Sequence, residues 1–460
     1  MKLLGHYVYP PIALLAAVEF IASSAAFVAS AAIMRGVGLI AELGGEYVAT
    51  WALMFAAAVL TGMTAVGLYQ AKQRLRIEGV IARIFVGLTI AAICLALVDF
   101  FLSLGIGGPI WAVSFVISLV ALSTTRGVLW RWVDHEAFQR RVLVYGAGER
   151  AATLLKLRRR SDRRGFNIAA FVPAVGDKVR LEDPRVHALE IPLVDYAKQH
   201  GIDEIVVAMD ERRQGFPVAD LLACRFVGIY VVDLLGFLER ETGTLKVDLV
   251  NPAWLIFSDG FQMQARFHIA TRAFDFLSAL TMSIVASPLM LAAAAAVALD
   301  DGWPVLYRQS RVGLTGKEFT LYKFRSMIKE AEADGAARWA GASDSRVTRV
   351  GKFLRKTRLD ELPQLLNVLR GDMSIVGPRP ERPEFVRHLA KKIPYYHERH
   401  SVKPGITGWA QLCYPYGSSD EDAMEKLQFD LYYIKHKSLV FDLIVLLQTA
   451  EVVLWGKGAR

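Results

Sequence analysis

The sequence predicts a chain of three parts: an α-helical membrane domain, an α/β Rossmann-like domain, and a mixed α/β membrane-associated domain with a re-entrant helix. Three observations carry this reading. Four long apolar stretches open the chain, strand-like and helical segments alternate from about Gln139, and the chain after Asp300 is dense in charge, Pro and Gly. Composition agrees with the split. At 460 residues, 53% hydrophobic and a mean hydropathy of +0.32, the chain is too apolar to be wholly soluble, and 22% charged residues are too many for a chain lying wholly in lipid. Disordered, collagen-like and coiled-coil chains are excluded, because apolar residues are plentiful and neither a glycine period nor a sustained heptad occurs. Cys94, Cys224 and Cys413 are far apart with no CxxC spacing, which argues against a disulfide scaffold or a cysteine zinc site.

The membrane domain covers residues 1–135. Its apolar stretches, about Pro11–Met34, Tyr47–Tyr69, Val80–Leu102 and Pro109–Val133, are each long enough at about 1.5 Å per residue to cross about 30 Å of hydrocarbon. The first is too long, and too soon followed by others, to be a cleaved signal peptide. Lys72, Arg74 and Arg76 lie between the second and third stretches, and Arg126, Arg131, Arg140 and Arg141 are assigned to the end of the fourth; the other loops hold only Arg35. Positive loops stay inside, so both ends of this domain are expected to face the cytoplasm. Glu19 and Arg83, inside the first and third stretches, read either as a functional polar site or as residues that pair within the bundle or snorkel.

The Rossmann-like domain covers residues 139–260. Arg141–Tyr145 is a β run, and Gly146-Ala147-Gly148-Glu149-Arg150-Ala151 opens a helix after it; Asn167–Val172, Glu204–Ala208 and Gly228–Val232 are spaced as further strands of a parallel sheet. A GxGxxA turn in this setting is able to cradle a pyrophosphate. No acidic residue ends a second strand where a ribose ligand belongs, and no Tyr-x-x-x-Lys follows. A degenerate or regulatory fold is therefore favoured over a working dehydrogenase.

The third domain covers residues 266–460. It opens with an apolar helix, 274–299, interrupted at Ser287-Pro288 and flanked by Arg266 and Arg272 on one side and Arg308, Arg311 and Lys317 on the other. Proline bends a helix, and basic flanks at both ends are satisfied when the helix enters and leaves by the same cytoplasmic face. The competing reading is a kinked fifth span, which places everything after Asp300 outside the cell.

Four motifs after this helix carry chemistry. Arg358-Leu359-Asp360-Glu361-Leu362-Pro363 sets two adjacent carboxylates before an amphipathic helix. Asp360 is either that helix's N-cap or a carboxylate held ionised by the helix start and by Arg355, Lys356 and Arg358, and so competent as a nucleophile. Glu361 beside it is then placed to hold a divalent cation on phosphate oxygens. Gly377-Pro378-Arg379-Pro380 presents either a fixed guanidinium fork for phosphate or a rigid turn with a solvated arginine. In Tyr322-Lys323-Phe324-Arg325 a strand puts both cations on one face, toward phosphate or toward water. Lys403-Pro404-Gly405-Ile406-Thr407-Gly408-Trp409-Ala410-Gln411 is a turn-rich loop suited to framing a nucleotide.

In order, YRQSRVG, FTLYKFRSM, RLDELPQLLNVLRGDMSIVGPRPERPEF, KPGITGWAQ and FDLYYIKH closely resemble the bacterial sugar transferase family, the polyprenyl-phosphate hexose-1-phosphate transferases or monotopic phosphoglycosyl transferases. The resemblance runs from about Arg266 to the C-terminus. The four spans and the Rossmann-like domain ahead of it resemble the large members, which initiate exopolysaccharide, capsule or O-antigen synthesis. It implies that Asp360 attacks the β-phosphate of a UDP-sugar, releases UMP and forms a sugar-phosphoryl aspartate that polyprenyl (undecaprenyl) phosphate then displaces. It further implies that Glu361 coordinates Mg²⁺, that Lys323, Arg355 and Arg379 hold phosphates, and that Asp430 matches another acidic substrate-site position. The implied partners are a UDP-sugar, polyprenyl phosphate, membrane lipid and a second copy in a dimer, with no nucleic acid. The implied location is the bacterial inner membrane, as a multi-pass protein with its catalytic domain facing the cytoplasm.

The sequence departs from the family where Leu412-Cys413-Tyr414-Pro415-Tyr416-Gly417 replaces an Asn-Gly-Arg-Asn stretch, which removes a basic residue near the nucleotide and leaves the sugar open between glucose and galactose. The Cys-Tyr-Pro-Tyr-Gly version and the His6-Tyr7-Val8 opening resemble the subgroup tied to exosortase-linked exopolysaccharide clusters. Leu439–Trp455 is an apolar helix with Asp442 and Glu451 that lies on the membrane or packs on the third domain. Two other functions compete: a nucleotide-sensing membrane regulator of polysaccharide synthesis, and a nucleotide-sugar epimerase or dehydrogenase, the latter disfavoured by the missing residues noted above.

Overall fold

The computed structural model describes residues 2–3, 6–7, 10–35, 45–69, 77–102, 108–133, 139–157, 165–174, 177–211, 215–250, 252–258, 260–261, 265–329, 346–414, 417 and 419–455. The chain divides into two compact units, one chiefly Tyr7–Met63 and Leu68–Pro252, the other chiefly Ala253–Arg460.

In the first unit the apolar stretches form helices α1 (Pro10–Arg35), α2 (Gly45–Ala65), α3 (Ile77–Leu102) and α4 (Gly108–Val133). Each is long and apolar enough to cross a membrane. Their side chains are apolar around most of the circumference, as expected where lipid rather than water surrounds a bundle.

Of the two sequence readings of Glu19 in α1, pairing within the bundle is the one observed. Glu19 is fully buried and pairs with Arg126 of α4 through Nε to Oε1 at 2.6 Å and Nη2 to Oε2 at 2.8 Å; Arg126 Nη1 also donates to the Leu68 carbonyl at 2.8 Å, and the Tyr69 hydroxyl donates to Glu19. A corrected charge count follows, since Arg126 is a buried ion-pair partner inside α4 and not a loop cation. Lys72, Arg74 and Arg76, on which the orientation argument leans, lie outside the described residues. Removing one partner of a buried pair strands the other charge, at a cost of about 3 kcal/mol. Arg126→Met is therefore expected to lower the thermal midpoint in detergent, and Glu19→Gln/Arg126→Met to recover much of the loss; equal losses would show that the two charges are not coupled.

The same unit holds a four-stranded parallel sheet in the order β2 (Phe166–Val172), β1 (Arg140–Tyr145), β3 (Glu204–Val207), β4 (Tyr230–Asp233). The strands match the sequence reading to within two residues. Their near-continuous apolar character has a simple cause, because both faces are covered. Val142 and Val144 pack with Leu234, Phe237 and Leu238, while Leu143, between them, packs with Leu193, Ala197, Leu221 and Cys224. Helices α5 (Glu149–Leu155), α6 (Leu193–Gln199), α7 (Val218–Phe226) and α8 (Leu234–Thr242) supply those layers.

The second unit contains the helix α9 (Pro252–Phe257), then α10 (Ala265–Asp301), a 37-residue helix that continues through Pro288. An antiparallel hairpin follows, β5 (Leu306–Val312) and β6 (Glu318–Phe324). Next come α11 (Arg349–Thr357), a 3₁₀ turn at Leu359–Gln364, α12 (Leu365–Arg370), β7 (Ser374–Val376), α13 (Pro383–Lys392), β8 (Gly405–Thr407), α14 (Trp409–Cys413), α15 (Asp420–Lys435) and α16 (Leu439–Trp455). β7 and β8 pair in parallel.

Both ends of α10 are tied to this one α/β body. Near its start, Arg272 donates to the Val368 and Leu369 carbonyls, both at 2.6 Å, and Asp275 accepts from Ser374 Oγ at 2.8 Å and the Ile375 N–H at 3.0 Å. Near its end, Arg325 donates to the Asp301 and Gly302 carbonyls at 2.7 and 2.6 Å, and Ala293 and Val297 pack on Phe324 and Leu354. Between these anchors Leu277, Ile284, Val285 and Leu291 are exposed by 62% or more. Helix α16 is also anchored, since buried Asp442 accepts from Tyr433 Oη at 2.7 Å and Thr449 meets Thr407 at 2.7 Å. Of its two sequence readings, packing on the domain is the one observed.

Candidate active site

The two carboxylates sit on the 3₁₀ turn, entered through Arg358, whose φ of 60° ends α11 in the left-handed region and turns the chain sharply. This overturns one of the two sequence readings of Asp360. The α-helix starts five residues later at Leu365, with Gln364 as its N-cap position, so Asp360 does not cap it. Both Asp360 and Glu361 are buried, at 8% and 9% exposure.

Lys323 on β6 reaches Glu361 Oε1 with Nζ at 3.1 Å, and Arg379 reaches the same oxygen with Nη2 at 3.0 Å; Arg358 lies 3.7 Å from Oε2. Burial alone opposes the Glu361 charge, but Lys323, Arg379 and Arg358 overcome it and hold the carboxyl well below the usual carboxylate range. Burial in turn pushes the Lys323 ammonium below its ordinary value, with Glu361 opposing.

Asp360 is different. Among the described residues nothing donates a hydrogen bond to its carboxylate. Burial, and then the Glu361 charge beside it, push its carboxyl above the ordinary value, while Lys323, Arg355 and Arg379 favour the anion. Lys323, Arg355 and Arg379 supply the local cations expected beside Asp360, and they moderate the penalty of burial without cancelling it. Adjacent carboxyls with opposite shifts fit unlike roles, one a fixed charge and one a reactive group.

The motif around Arg379 is fixed by backbone. Gly377 donates to the Thr407 carbonyl at 2.9 Å and Gly405 to the Pro378 carbonyl at 2.9 Å. A Cβ on Gly377 would fall 2.4 Å from the Lys403 carbonyl oxygen, so only glycine admits this crossing. Gln411, from the turn-rich loop, accepts from Arg379 Nη1 at 3.1 Å, which brings that loop to the site. Arg355 is steadied by Ser326 Oγ at 2.9 Å. Arg325 is not part of the cluster, because the strand ends at Phe324 and its guanidinium turns to the C-terminal carbonyls of α10.

Asp430 lies one layer behind. It is 2% exposed and accepts from Arg399 Nη2 at 2.9 Å; the same nitrogen donates to the Arg379 carbonyl at 3.0 Å, and Arg399 Nη1 to Tyr396 Oη at 2.8 Å. Arg399 is the residue that the sequence reading missed. Its neighbours His397 to Ser401 carry no motif, and its contacts are 20 and 31 residues away. Burial pushes the Asp430 carboxyl up to about 6, against the pull of Arg399. A raised folded pKa gives stability that is present below the ordinary value and lost as pH rises through about 6. Arg399→Met removes the counter-charge, so it is expected to cost about 3 kcal/mol near pH 8 and much less near pH 5, measured by thermal unfolding. A pH-independent loss would mean that packing, not the ion pair, is what matters.

Among the described residues no cluster of three or more His, Cys, Asp or Glu is placed to hold a metal ion. Glu361 Oε2 is the carboxylate oxygen less engaged by cations, and an oxygen donor of this kind is compatible with a hard divalent cation that takes its other ligands from water and phosphate.

Structurally, then, this is a domain on a long apolar helix whose buried carboxylate pair is set among a lysine and arginines. A family model described as bacterial sugar transferase matches residues 266–456, and one described as CoA-binding domain matches residues 64–232. The chain is 33% identical over 359 residues to the UDP-glucose:undecaprenyl-phosphate glucose-1-phosphate transferase of Xanthomonas campestris pv. campestris, covering 76% of this chain and 74% of that one. It is 41% identical over 240 residues to the UDP-N-acetylgalactosamine-undecaprenyl-phosphate N-acetylgalactosaminephosphotransferase of Aeromonas hydrophila, covering 52% and 56%. A match of 35% identity spans 99% of the UDP-glucose:undecaprenyl-phosphate glucose-1-phosphate transferase of Caulobacter vibrioides and 54% of this chain. The chain belongs to the bacterial sugar transferase family, and it is a membrane protein. The match to the Aeromonas protein spans little more than half the length of that relative.

Proposed function

We propose that this protein transfers a sugar 1-phosphate from a UDP-sugar to undecaprenyl phosphate, giving undecaprenyl diphosphate-sugar and UMP, as the first membrane step of a surface polysaccharide. One observation carries the reading: a buried carboxylate, Asp360, that accepts no hydrogen bond among the described residues, beside a carboxylate held by Lys323 and Arg379. Phosphoryl transfer needs a positioned nucleophile and fixed cations where charge develops. An Asp360 oxygen bonds the β-phosphorus as the bond from that phosphorus to the bridging oxygen breaks, and UMP leaves with the bridging oxygen. An oxygen of undecaprenyl phosphate then bonds the same phosphorus, and Asp360 is released.

Lys323 and Arg379 both donate to Oε1 of Glu361, and with Arg355 they are the cations we assign to the diphosphate. Asp430 acts through Arg399, which holds the Arg379 backbone. Glu361, with the substrate diphosphate, would hold Mg²⁺; when bound, the ion neutralises charge on the phosphates. The names of the Aeromonas and Xanthomonas relatives, which print a UDP-sugar and undecaprenyl phosphate, support the substrate class but differ in the sugar.

Residues 1–135 then form the spanning domain, 139–260 the Rossmann-like domain and 266–460 the catalytic domain, in the inner membrane with the catalytic domain cytoplasmic. Helix α10 is read as re-entrant around 274–299. The support is that residues near both of its ends, Arg272 and Asp301, contact one α/β body while the apolar middle is exposed. The test is UMP release from a panel of UDP-sugars in the presence and absence of undecaprenyl phosphate. Acceptor-dependent turnover with one sugar is expected; no UMP from any of them would sink the reading.

A further inference from the structure

The glycine turn of the Rossmann-like domain holds an anion already, and it comes from the chain itself. A diphosphate in such a turn is bound by the backbone N–H groups that open the following helix. Here the Glu149 N–H donates to Asp210 Oδ2 and the Arg150 N–H to Asp210 Oδ1, both at 2.8 Å. Gly148 lets the carboxylate approach, because a Cβ at that position would lie 2.1 Å from Asp210 Oδ2. A second aspartate completes the closure, for Asp177 accepts from the Ala147 N–H at 3.3 Å and from the Asp210 N–H at 3.2 Å. The Arg180 N–H donates to the Ala147 carbonyl at 3.0 Å, and the Arg180 guanidinium lies 3.4 Å from Glu149, stapling the turn to the segment after β2.

These contacts take the donors a diphosphate would need. An incoming nucleotide would also meet two carboxylates at contact distance, where like charges repel most and salt screens least. We propose that the turn is closed by Asp210 acting as an internal substitute for a ligand phosphate. The domain therefore takes neither coenzyme A nor a dinucleotide there, in contrast to the ligand that its family description names. The GxGxxA glycines serve a clasp that joins the ends of β1 and β3, and a nucleotide-sensing role for this turn is disfavoured. The inference is independent of the transferase reading.

The test uses the full-length protein in nanodiscs. Coenzyme A and NAD⁺ are titrated calorimetrically at millimolar ligand, and amide exchange is followed over residues 146–150. Wild type is expected to show no saturable heat and no change in exchange with either compound. Without ligand, Asp210→Ala is expected to exchange several-fold faster at Glu149 and Arg150, and Asp210→Asn, which keeps an acceptor oxygen, less so. Saturable binding to wild type with protection falling on 146–150 would overturn the proposal. So would unchanged exchange in both variants; should Asp210→Ala fail to fold, the wild-type titration and the Asn variant still decide.

Discussion

Asp360→Asn is expected to reduce UMP release by at least ~10⁴-fold, as loss of a covalent nucleophile does, while the protein remains folded. The two halves of this expectation have separate physical causes. The amide keeps the shape of the side chain, and the carboxylate it replaces accepts no hydrogen bond among the described residues, so no donor is orphaned. Burial and Glu361 raise the Asp360 carboxyl above its ordinary value. A raised folded value means that ionisation costs stability as pH rises, so a neutral amide leaves the thermal midpoint unchanged or higher at neutral pH. Activity lost together with stability would instead mark Asp360 as structural. The relevant pair of measurements is steady-state UMP release and thermal unfolding on the same preparation.

Glu361→Gln has the second largest expected effect, a fall of roughly 10²–10³ in kcat, the scale for removing one fixed electrostatic partner from an active site. A second readout separates this from simple damage. Glu361 opposes the Asp360 charge and also engages Lys323 and Arg379. Its removal deletes a repulsive neighbour and frees two cations, and both effects lower the Asp360 carboxyl. Activity needs the ionised nucleophile, so the acid limb of the residual pH–kcat profile moves to lower pH in the variant. A limb that stays in place or moves up would mean that another group sets it.

What was legible in the sequence follows the range of the interactions. Apolar length located α1 to α4, and runs apolar on successive residues located strands covered on both faces. The carboxylate pair and Arg379 were legible because local motifs carry them. Contacts between distant residues were not: Arg126 finds Glu19 across 107 residues, and Asp210 finds the Gly148 turn across about 60. Neither aspartate nor arginine advertises its partner by neighbours in the chain. Arg325 shows the opposite error, since strict alternation grouped it with Lys323 until the strand's end released it to α10. Within the departure from the family at Leu412–Gly417, Pro415 and Tyr416 lie outside the described residues, so its bearing on the sugar is a question for the substrate panel.

The most direct measurement is the mass of the intact protein after incubation with its UDP-sugar without undecaprenyl phosphate. The expected result is an adduct of one sugar phosphate, mapped by peptide analysis to Asp360, absent from Asp360→Asn and discharged on adding undecaprenyl phosphate. Full turnover by Asp360→Asn, or an adduct on another residue that turns over at the catalytic rate, would contradict it.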